Sequence, residues 1–274
     1  MNAINDIRQL LACFKISKAQ REDFRAIEID GISEKPVVRT VLAGGKFKKG
    51  VSKKSNTITN VLYLLRKRNF FQKQAFKIDI QKNIPHGSGL GGGSSNAADV
   101  LNFFNSKMDL KINKTLLNKI ARQIGFDVPV NLEKKNTLLT NKEGKILRLN
   151  NKFRLNILIV YPNIICSTRK IFTRNKKFTF SKSQSNYYTQ NKKKLINFLK
   201  KERNDLEEIV VKFYPKVGKI IDFIKLQNNC YFSRITGSGS ACIGIFSNQK
   251  SAVSAKKLIR SKFPNHWCFV SKTI

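Results

Sequence analysis

The stretch IPHGSGLGGGSSNAA, residues 84–98, contains five glycines within seven positions. Glycine loses more backbone freedom on folding than any other residue, so such a cluster needs a structural reason. The preceding residues 75–81, AFKIDIQ, alternate apolar and polar side chains and predict a strand. The residues that follow predict a helix over 96–104, with its apolar side chains at helical spacing: Ala97, Ala98, Val100, Leu101 and Phe104.

A glycine loop between a strand and a helix is suited to binding phosphate. The first N–H groups of a helix have no partner within the helix, and the helix dipole adds partial positive charge there. Glycines let the backbone approach phosphate oxygens because no β-carbon stands in the way. Ser94, Ser95 and Asn96 add side-chain donors, or a hydroxyl group for a metal ion.

Two other phosphate-binding motifs fit this loop less well. A Walker loop needs a lysine after its last glycine, and none follows here. Gly87, Gly89 and Gly92 match the spacing of the dinucleotide fingerprint, and Asp109 lies near the later acidic position. Pro85 breaks the strand just before the glycines, however, and Asp109 does not end a clear apolar strand. A flexible turn without a ligand is the remaining alternative, but such a turn needs neither the strand nor the helix.

The chain has 274 residues and a formal net charge of +36 at pH 7. This length allows one large or two small domains. The lysines are spread along the chain, which is typical of compositional bias rather than of a basic nucleic-acid-binding face. We therefore do not expect nucleic acid as the main partner, although the positive field favours phosphorylated substrates.

The cysteine spacing and the start of the chain predict a reduced, cytoplasmic protein. Five scattered cysteines form no CxxC pair and indicate neither a zinc site nor a disulfide framework. The first ten residues do not resemble a signal peptide. The longest apolar run, residues 155–161, is too short to span a bilayer, so we expect no membrane partner.

The remaining pattern mixes strands and helices without strict alternation, which favours an α+β fold with two layers. Helices are expected at 115–124, where Thr115 would be the cap and Gly125 the stop, and at 192–201, 206–213 and 251–261. Strands are expected at 153–161, 241–246 and 267–270. Asn204 and Glu207 resemble a capping box for the helix at 206–213. The polar segment 141–152 is the expected boundary between halves.

The sequence at 85–98 resembles the phosphate loop of the GHMP small-molecule kinases. The triple glycine followed by SSNAA is the form found in the branch that acts on 4-diphosphocytidyl-2-C-methyl-D-erythritol, in the non-mevalonate pathway to isoprenoids. Other stretches resemble motifs of that family in the same order: NTI at 56–58, Lys82, GFDVP at 125–129, CST at 166–168 with Phe172, NDLE at 204–207 and TGSGSA at 236–241.

This resemblance implies an α+β fold in two domains. The GHMP kinase N-terminal domain, residues 1–150 with an atypical segment 1–43, is expected to be like ribosomal protein S5 domain 2. The GHMP kinase C-terminal domain, residues 151–274, is expected to be ferredoxin-like. The implied activity is ATP-dependent phosphorylation of the 2-hydroxyl of 4-diphosphocytidyl-2-C-methyl-D-erythritol, with Mg²⁺, in a monomer or homodimer.

Asp127 is the candidate general base. It follows a predicted helix end on a short loop bounded by Gly125 and Pro129, which can hold its carboxylate rigidly. The resemblance implies the same role, and an ordinary turn aspartate is the alternative. In the family a lysine near the N-terminus sits beside this base. The usual A-K-I-N-L and D-G-Y-H motifs are absent here, and Lys15 is the candidate for that lysine.

The resemblance also implies two groups of binding residues. At ATP it places Asn56, Lys82, Pro85, Gly87, Gly89, Leu90, Gly91, Gly92, Gly93, Ser94, Ser95 and Asn96, with Ser95 also a candidate Mg²⁺ ligand. At the acceptor it places Thr168, Phe172, Gly237, Ser238 and Gly239. From the residues alone, Thr168 could cap a turn, Phe172 could be a core residue, and the late glycines could form a tight turn.

Three other functions stay open. The chain could be another GHMP kinase, acting on homoserine or a sugar, or a kinase relative without activity. It could also be a non-catalytic, basic nucleic-acid-binding relative, for which a steep loss of RNA binding with salt is expected.

Overall fold

The structure is a computed structural model that describes residues 24–32, 38–47, 52, 56–71, 74–140, 145–150, 154–176 and 191–273. Lys15 lies outside these ranges. The chain divides into two compact units. The N-terminal unit comprises the described residues up to His86 and Gly91–Glu133, and the C-terminal unit comprises Gly87–Leu90 and the described residues from Lys134 onward. The predicted domain boundary at residue 150 stays a prediction.

The N-terminal unit contains a three-stranded sheet in which β3 is the middle strand. The alternating pattern at 75–81 forms β3 (Gln74–Gln81), as predicted, with Phe76, Ile78 and Ile80 buried. β3 runs antiparallel to β1 (Phe24–Ile32) and parallel to β2 (Val38–Gly44).

Helices of the N-terminal unit pack with one another and surround its core. They are α1 (Thr57–Arg66), α2 (Gly92–Lys107), α3 (Lys114–Ile124) and α4 (Val128–Asn131). The predicted apolar face of α2 is buried as expected. The helix begins at Gly92, four residues before the predicted start, because the last two glycines adopt helical geometry.

The cap predicted for α3 is wrong. The helix begins at Lys114, and the residue before it, Asn113, accepts a hydrogen bond at Oδ1 from the N–H of Leu116 at 2.9 Å. An asparagine in that position satisfies one of the free N–H groups, so Thr115 lies inside the helix. The predicted stop is confirmed, since the N–H of Gly125 donates to the carbonyl of Ala121.

Three phenylalanines lie in the middle of this core. The ring centroids of Phe71, Phe76 and Phe104 are 4.9 Å apart in each pair. Phe76 comes from β3 and Phe104 from α2, so these rings hold the glycine loop's preceding strand against its following helix. This contact therefore joins the two elements that flank the glycine loop.

The C-terminal unit contains a hairpin and a four-stranded antiparallel sheet. The hairpin pairs β4 (Asn136–Thr140) with β5 (Lys145–Leu149), and β5 lies inside the polar segment 141–152. The sheet has the order β7 (Cys230–Ile235), β8 (Cys242–Phe246), β6 (Asn156–Tyr161), β9 (Trp267–Lys272). All six residues of β6 are buried, and all but Asn156 are apolar or aromatic.

The described ranges of this unit contain the helices α5 (Thr168–Arg174), α6 (Lys192–Lys201), α7 (Glu207–Phe213), α8 (Pro215–Lys225) and α9 (Gln249–Lys262). α8 packs on β7 and β8, and α9 packs on β6, β8 and β9. The sequence analysis did not predict α5, α8 or β7.

The α+β class is confirmed by this mixture of sheets and helices. None of the described helices has the length and apolar composition needed to cross a membrane. Cys166, Cys230, Cys242 and Cys268 are free thiols.

The aromatic cluster generates a stability prediction. Phe104→Ala is expected to lower the free energy of unfolding by about 3–5 kcal/mol, because the truncated ring leaves a cavity between β3 and α2. Urea unfolding followed by circular dichroism measures this loss. Leu226→Ala is the control, since Leu226 is 81% exposed and its truncation should cost less than about 0.5 kcal/mol. Equal losses in the two variants would contradict the prediction.

Candidate functional site

The glycine loop uses three left-handed residues to turn the chain from β3 into α2. Gly87, Gly89 and Gly91 have φ angles of 62°, 76° and 67°. These angles favour glycine, since a β-carbon makes the left-handed region costly. Gly89 has a second reason, because a β-carbon there would collide with the carbonyl oxygen of Thr236. The loop therefore needs glycine for both conformation and space.

The N-terminus of α2 presents backbone donors without a side-chain cap. Its N-cap residue is Gly91, which has no side chain to accept from the first N–H groups. Lys82 is buried, and its Nζ lies 3.0 Å from the position that a β-carbon on Gly92 would occupy. A buried ammonium group thus lies beside the positive end of a 16-residue helix. An anion is the ligand that both groups favour.

A short turn after β2 holds Lys82 in this place. The N–H of Phe47 donates to the carbonyl of Lys82 at 2.9 Å. Gly45 has φ 97°, and a β-carbon on it would collide with the Lys82 backbone. Lys46, between these two residues, is exposed. The sequence analysis missed this support because a turn of this kind has no helical or strand periodicity.

Ser95 has a buried hydroxyl group near the start of α2. The side chain is 1% exposed, and its Oγ has no hydrogen-bond partner among the described residues. Burying a hydroxyl group without a partner costs free energy, so this group is suited to a bound ligand. Asn96 is also buried, and Ser94 is half-buried. Pro85 and Leu90, also predicted at the nucleotide, are buried as well.

The start of α1 lies against the start of α2. Thr57 donates from Oγ1 to the carbonyl of Gly93 at 2.8 Å, so two helix N-termini come close together. Asn56 caps α1, accepting at Oδ1 from the N–H groups of Ile58 and Thr59, and donates from Nδ2 to the carbonyl of Ser52. Its polar side-chain atoms are therefore engaged in local structure. Thr57 is a site residue that the sequence analysis missed.

Asp127 lies between α3 and α4 and is half-buried. The N–H of Val128 donates to the carbonyl of Gly125 at 3.1 Å, and Asn131 donates from Nδ2 to the backbone carbonyl of Asp127 at 2.9 Å. These bonds hold the backbone of the loop that carries the Asp127 side chain. α4 packs against α2, so Asp127 belongs to the same unit as Lys82 and Ser95.

Within the C-terminal unit, the carbonyl groups of residues 87–89 are bonded to two other segments. The carbonyl of Gly87 accepts from the N–H of Cys166, and that of Ser88 accepts from the N–H of Ala241. Gly89 accepts from Thr236 Oγ1 at 3.1 Å. The first glycine segment and the late glycine loop at 236–241 therefore share hydrogen bonds.

Two of the predicted acceptor residues come together in the C-terminal unit. Thr168, at the start of α5, and Ser238, in the late loop, have hydroxyl groups 2.9 Å apart. Gly237 and Gly239, on either side of Ser238, have φ angles of 53° and 75°. Phe172, one turn along α5, is half-buried and packs against the core of this unit. Tertiary structure thus brings together hydroxyl groups that are distant in sequence.

The capping-box prediction for α7 is wrong. Asn204 accepts at Oδ1 from the N–H of Leu206, and it donates from Nδ2 to the carbonyl of Gly237 at 2.8 Å. Glu207 accepts at Oε2 from the N–H of Ile235 at 2.7 Å instead of from the Asn204 backbone. Both side chains therefore bond the segment that leads from β7 into the late glycine loop. Local spacing cannot distinguish these distant partners from a cap.

The dinucleotide alternative receives no support from the described residues. Asp109 lies in a left-handed turn after α2, with φ 48°, and its carboxylate is 3.5 Å from Lys111 Nζ. The chain then continues into α3 rather than into a parallel strand, so the expected ribose-binding acid is missing here. Across the described ranges, no three His, Cys, Asp or Glu side chains come together as a metal-binding group.

Two sequence profiles match this chain. The profile of the GHMP kinases N terminal domain matches residues 56–133, and the GHMP kinases C terminal profile matches residues 190–265. These matches contain α1 to α4, the whole glycine motif at 84–98, and the Asn204 to Glu207 segment.

Among curated proteins, the chain is similar to two enzymes named 4-diphosphocytidyl-2-C-methyl-D-erythritol kinase. It is 38% identical over 232 residues to the protein from Pelagibacter ubique (strain HTCC1062), covering 84% of this chain and 80% of that protein. It is 32% identical over 221 residues to the protein from Wolbachia pipientis wMel, covering 79% and 74%.

Solved structures share the fold at low identity. A homoserine kinase from Cytophaga hutchinsonii ATCC 33406 matches with a TM-score of 0.68 and 16% identity, over 89% of this chain and 84% of that one. A 4-(cytidine 5'-diphospho)-2C-methyl-D-erythritol kinase matches with a TM-score of 0.65 and 19% identity, over 91% and 85%.

The Glu207 carboxyl generates a prediction for the pH dependence of stability. Burial raises its pKa above the ordinary value of 4.5, and the N–H of Ile235 and the Arg234 guanidinium offset only part of this shift. A raised pKa means that the fold favours the protonated form. This contribution to stability is complete below pH 4.5 and is lost as the pH rises through the raised pKa.

Glu207→Gln is therefore expected to gain stability relative to the unmodified chain as the pH rises from 4.5 to 7, since glutamine stays neutral and keeps an acceptor oxygen. Urea unfolding across this range measures the difference. Glu208→Gln, at the exposed neighbouring position, should show no such trend. A variant that loses stability relative to the unmodified chain with rising pH would contradict the sign of the shift.

Proposed function

The chain belongs to the GHMP kinase family of ATP-dependent small-molecule kinases, and we propose that it transfers the γ-phosphate of ATP to the 2-hydroxyl of 4-diphosphocytidyl-2-C-methyl-D-erythritol. The names of its relatives support this acceptor, at 38% and 32% identity over most of each chain. The reaction would then contribute to isoprenoid precursor synthesis.

The observation that carries the proposal is the polar surface at the start of α2. It combines uncapped backbone N–H groups, the buried ammonium group of Lys82 and the unpartnered hydroxyl group of Ser95. Phosphoryl transfer depends mainly on positioning and on stabilising the charge of the transferred group. Backbone donors held by a rigid core provide both without moving during the reaction. We propose that the β- and γ-phosphates of ATP bind here.

Asp127 is the proposed general base. Its carboxylate would accept the proton of the acceptor hydroxyl while the hydroxyl oxygen bonds to the γ-phosphorus. The bond from the γ-phosphorus to the β,γ-bridging oxygen breaks, and ADP leaves with that electron pair. The hydrogen bonds around the Asp127 backbone fix the position of the Cα from which this side chain extends. Lys82 would stabilise phosphate charge, and a role for Lys15 beside Asp127 stays a prediction.

The acceptor is proposed to bind at the late glycine loop and α5. The paired hydroxyl groups of Thr168 and Ser238 offer donors and acceptors for its polar groups. Phe172 would stack on the cytosine ring, because aromatic stacking provides affinity for any base. Gly237 and Gly239 would let the loop backbone approach the substrate closely.

Mg²⁺ is proposed as the metal that accompanies ATP. The described residues fit it modestly: the Ser95 hydroxyl is a hard oxygen ligand, and magnesium commonly takes its remaining ligands from phosphates and water. When bound, the ion would neutralise charge on the β- and γ-phosphates. We also propose that the enzyme is cytoplasmic and that it acts as a monomer or homodimer.

Asp127→Asn tests the general base. The variant is expected to lower kcat by about 10²- to 10⁴-fold, because asparagine cannot accept the proton, while ATP still binds. The measurement is ADP release by the full chain with Mg·ATP and 4-diphosphocytidyl-2-C-methyl-D-erythritol. Asp109→Asn is the matched control, since its carboxylate is exposed. A kcat of Asp127→Asn within about threefold of the unmodified chain would remove Asp127 from this role.

ADP release with different acceptors, together with an RNA-binding measurement, separates the alternative functions. Turnover with homoserine, but not with the diphosphocytidyl acceptor, would favour another GHMP kinase activity. Absence of turnover with every acceptor, together with RNA binding that falls steeply with salt, would favour a non-catalytic nucleic-acid-binding relative.

Ser95→Ala tests the hydroxyl group at the start of α2. The variant is expected to weaken binding of Mg·ATP by roughly tenfold, because the ion or phosphate loses an oxygen partner. Calorimetry with ATP, in the presence and absence of Mg²⁺, measures the change without requiring turnover. Ser106→Ala, near the other end of the same helix, is the control. Unchanged affinity in Ser95→Ala would show that the hydroxyl contacts neither ligand.

A further inference from the structure

We propose that Asn204 and Glu207 are positioning residues that set the geometry of the late glycine loop, residues 236–241. The sequence presents them as a local motif before α7. In the structure, both side chains instead bond the strand end and the loop, 28 or more residues further along the chain. The proposal rests on the proposed function for its kinetic consequences, but the contacts themselves do not depend on that function.

Asn204 connects the start of α7 with two carbonyl groups at the entrance to the loop. Its Nδ2 donates to Gly237 at 2.8 Å and to Ile235 at 3.4 Å, while its Oδ1 accepts from the N–H of Leu206 at 3.0 Å. The residue is 4% exposed. A buried amide with both ends bonded fixes the distance between the segments that it joins.

Glu207 holds the residue just before the loop. Its Oε2 accepts from the N–H of Ile235 at 2.7 Å, which is the short distance typical of a charge-assisted hydrogen bond. Ile235 is the last residue of β7. Asn204 and Glu207 thus bond the two groups of the same residue, its carbonyl and its N–H, from one side.

The contacts of Asn204 and Glu207 do not form a side-chain cap on α7. The N-cap residue of this helix is Leu206, whose side chain cannot accept a hydrogen bond. A carboxylate at the first helical position would normally remain exposed near the positive end of the helix. Here the side chain is half-buried, and burial is the largest influence on its pKa. The hydrogen bond from the N–H of Ile235 offsets part of the cost of this burial.

The late glycine loop contributes polar groups to the proposed binding site of the acceptor substrate. Thr236 accepts at its carbonyl from the N–H of Gly239 and bonds Gly89 through its hydroxyl group. Ser238 lies 2.9 Å from Thr168 through their hydroxyl oxygens. Because Gly237 and Gly239 give the loop backbone unusual freedom, an external constraint is needed to keep Ser238 in place. Asn204 and Glu207 supply that constraint from the framework of α7.

The test compares variants that remove only the contacts to the loop. Asn204→Asp keeps an acceptor for Leu206 but loses the donor to Gly237, and Glu207→Ala removes the acceptor for Ile235. Glu207→Gln keeps an acceptor oxygen and serves as the conservative rescue. Asn228→Ala and Glu208→Gln are controls, because both positions are exposed: Glu208 lies next to Glu207 on α7, and Asn228 lies in the turn before β7 of the same unit.

Two readouts are measured on the full chain. Hydrogen exchange of the amides at 236–241 is expected to accelerate by roughly tenfold in Asn204→Asp and Glu207→Ala, since a local constraint is lost. In steady-state kinetics, the KM for the diphosphocytidyl acceptor should rise and kcat should fall, each by roughly tenfold, because the loop no longer holds Ser238. Glu207→Gln should recover most of both losses relative to Glu207→Ala.

Unchanged exchange at 236–241 in both disruptive variants would overturn the proposal. Accelerated exchange with unaltered KM and kcat would also overturn it, because the loop position would then have no effect on the reaction. If the unmodified chain shows no turnover, the proposed function fails, and the exchange measurement still decides whether these side chains hold the loop. A general loss of structure is recognised by faster exchange in β6 and β9 as well.

Discussion

Backbone hydrogen bonding at residues 87–89 is the constraint on which the late glycine loop depends. The carbonyl groups of Gly87, Ser88 and Gly89 accept hydrogen bonds from the N–H of Cys166, the N–H of Ala241 and the hydroxyl group of Thr236, respectively. A few residues later, the N–H groups at the start of α2 have no cap and are available to a ligand. Left-handed glycines allow the backbone to change from bonded carbonyl groups to uncapped N–H groups within a few residues. Larger residues would strain the turn, and at position 89 a β-carbon would also collide with Thr236.

Electrostatics at the start of α2 favours an anion at short range and at long range. Close to the site, Lys82 and the dipole of α2 act together in a buried environment where charge interactions are strong. Further away, the net charge of +36 raises the local concentration of polyphosphates. The distant charges are screened within about 8–10 Å at ordinary salt, so they can affect encounter but not geometry. In the proposed site, precise placement of phosphates therefore depends on the backbone donors and on Lys82.

The C-terminal unit contains a loop with two left-handed glycines, Gly237 and Gly239, which needs support from its surroundings. The loop is held by part-buried polar contacts around Ile235, Gly237 and Ser238. Such contacts stabilise most when every partner is satisfied, since a polar group that loses its partner away from water is costly. Cys166 lies beside the same loop, and burial raises the pKa of its thiol to about 11, so it remains protonated near neutral pH. This cysteine therefore contributes packing rather than reactivity.

Local patterns in the chain suffice for much of the fold. Alternation identifies β3, apolar spacing identifies the buried face of α2, and the glycine cluster identifies the proposed phosphate-binding position, because each depends on neighbours within one or two turns. β7 and α8 were not predicted, although α8 places Val217, Ile220, Ile221 and Ile224 at helical spacing. The cap of α3 was misplaced by two residues, because Asn113 and Thr115 are both capable caps.

Tertiary structure alone decides which side chains meet. Asn204 and Glu207 have the spacing of a capping box, yet their partners lie on β7 and in the late loop. Thr168 and Ser238 are 70 residues apart and become hydrogen-bonding neighbours. Ser95 follows from the glycine motif as a candidate, but only packing leaves its buried hydroxyl without a protein partner among the described residues. Sequence spacing specifies what a residue can bond locally, whereas burial and long-range contacts select the bond that forms.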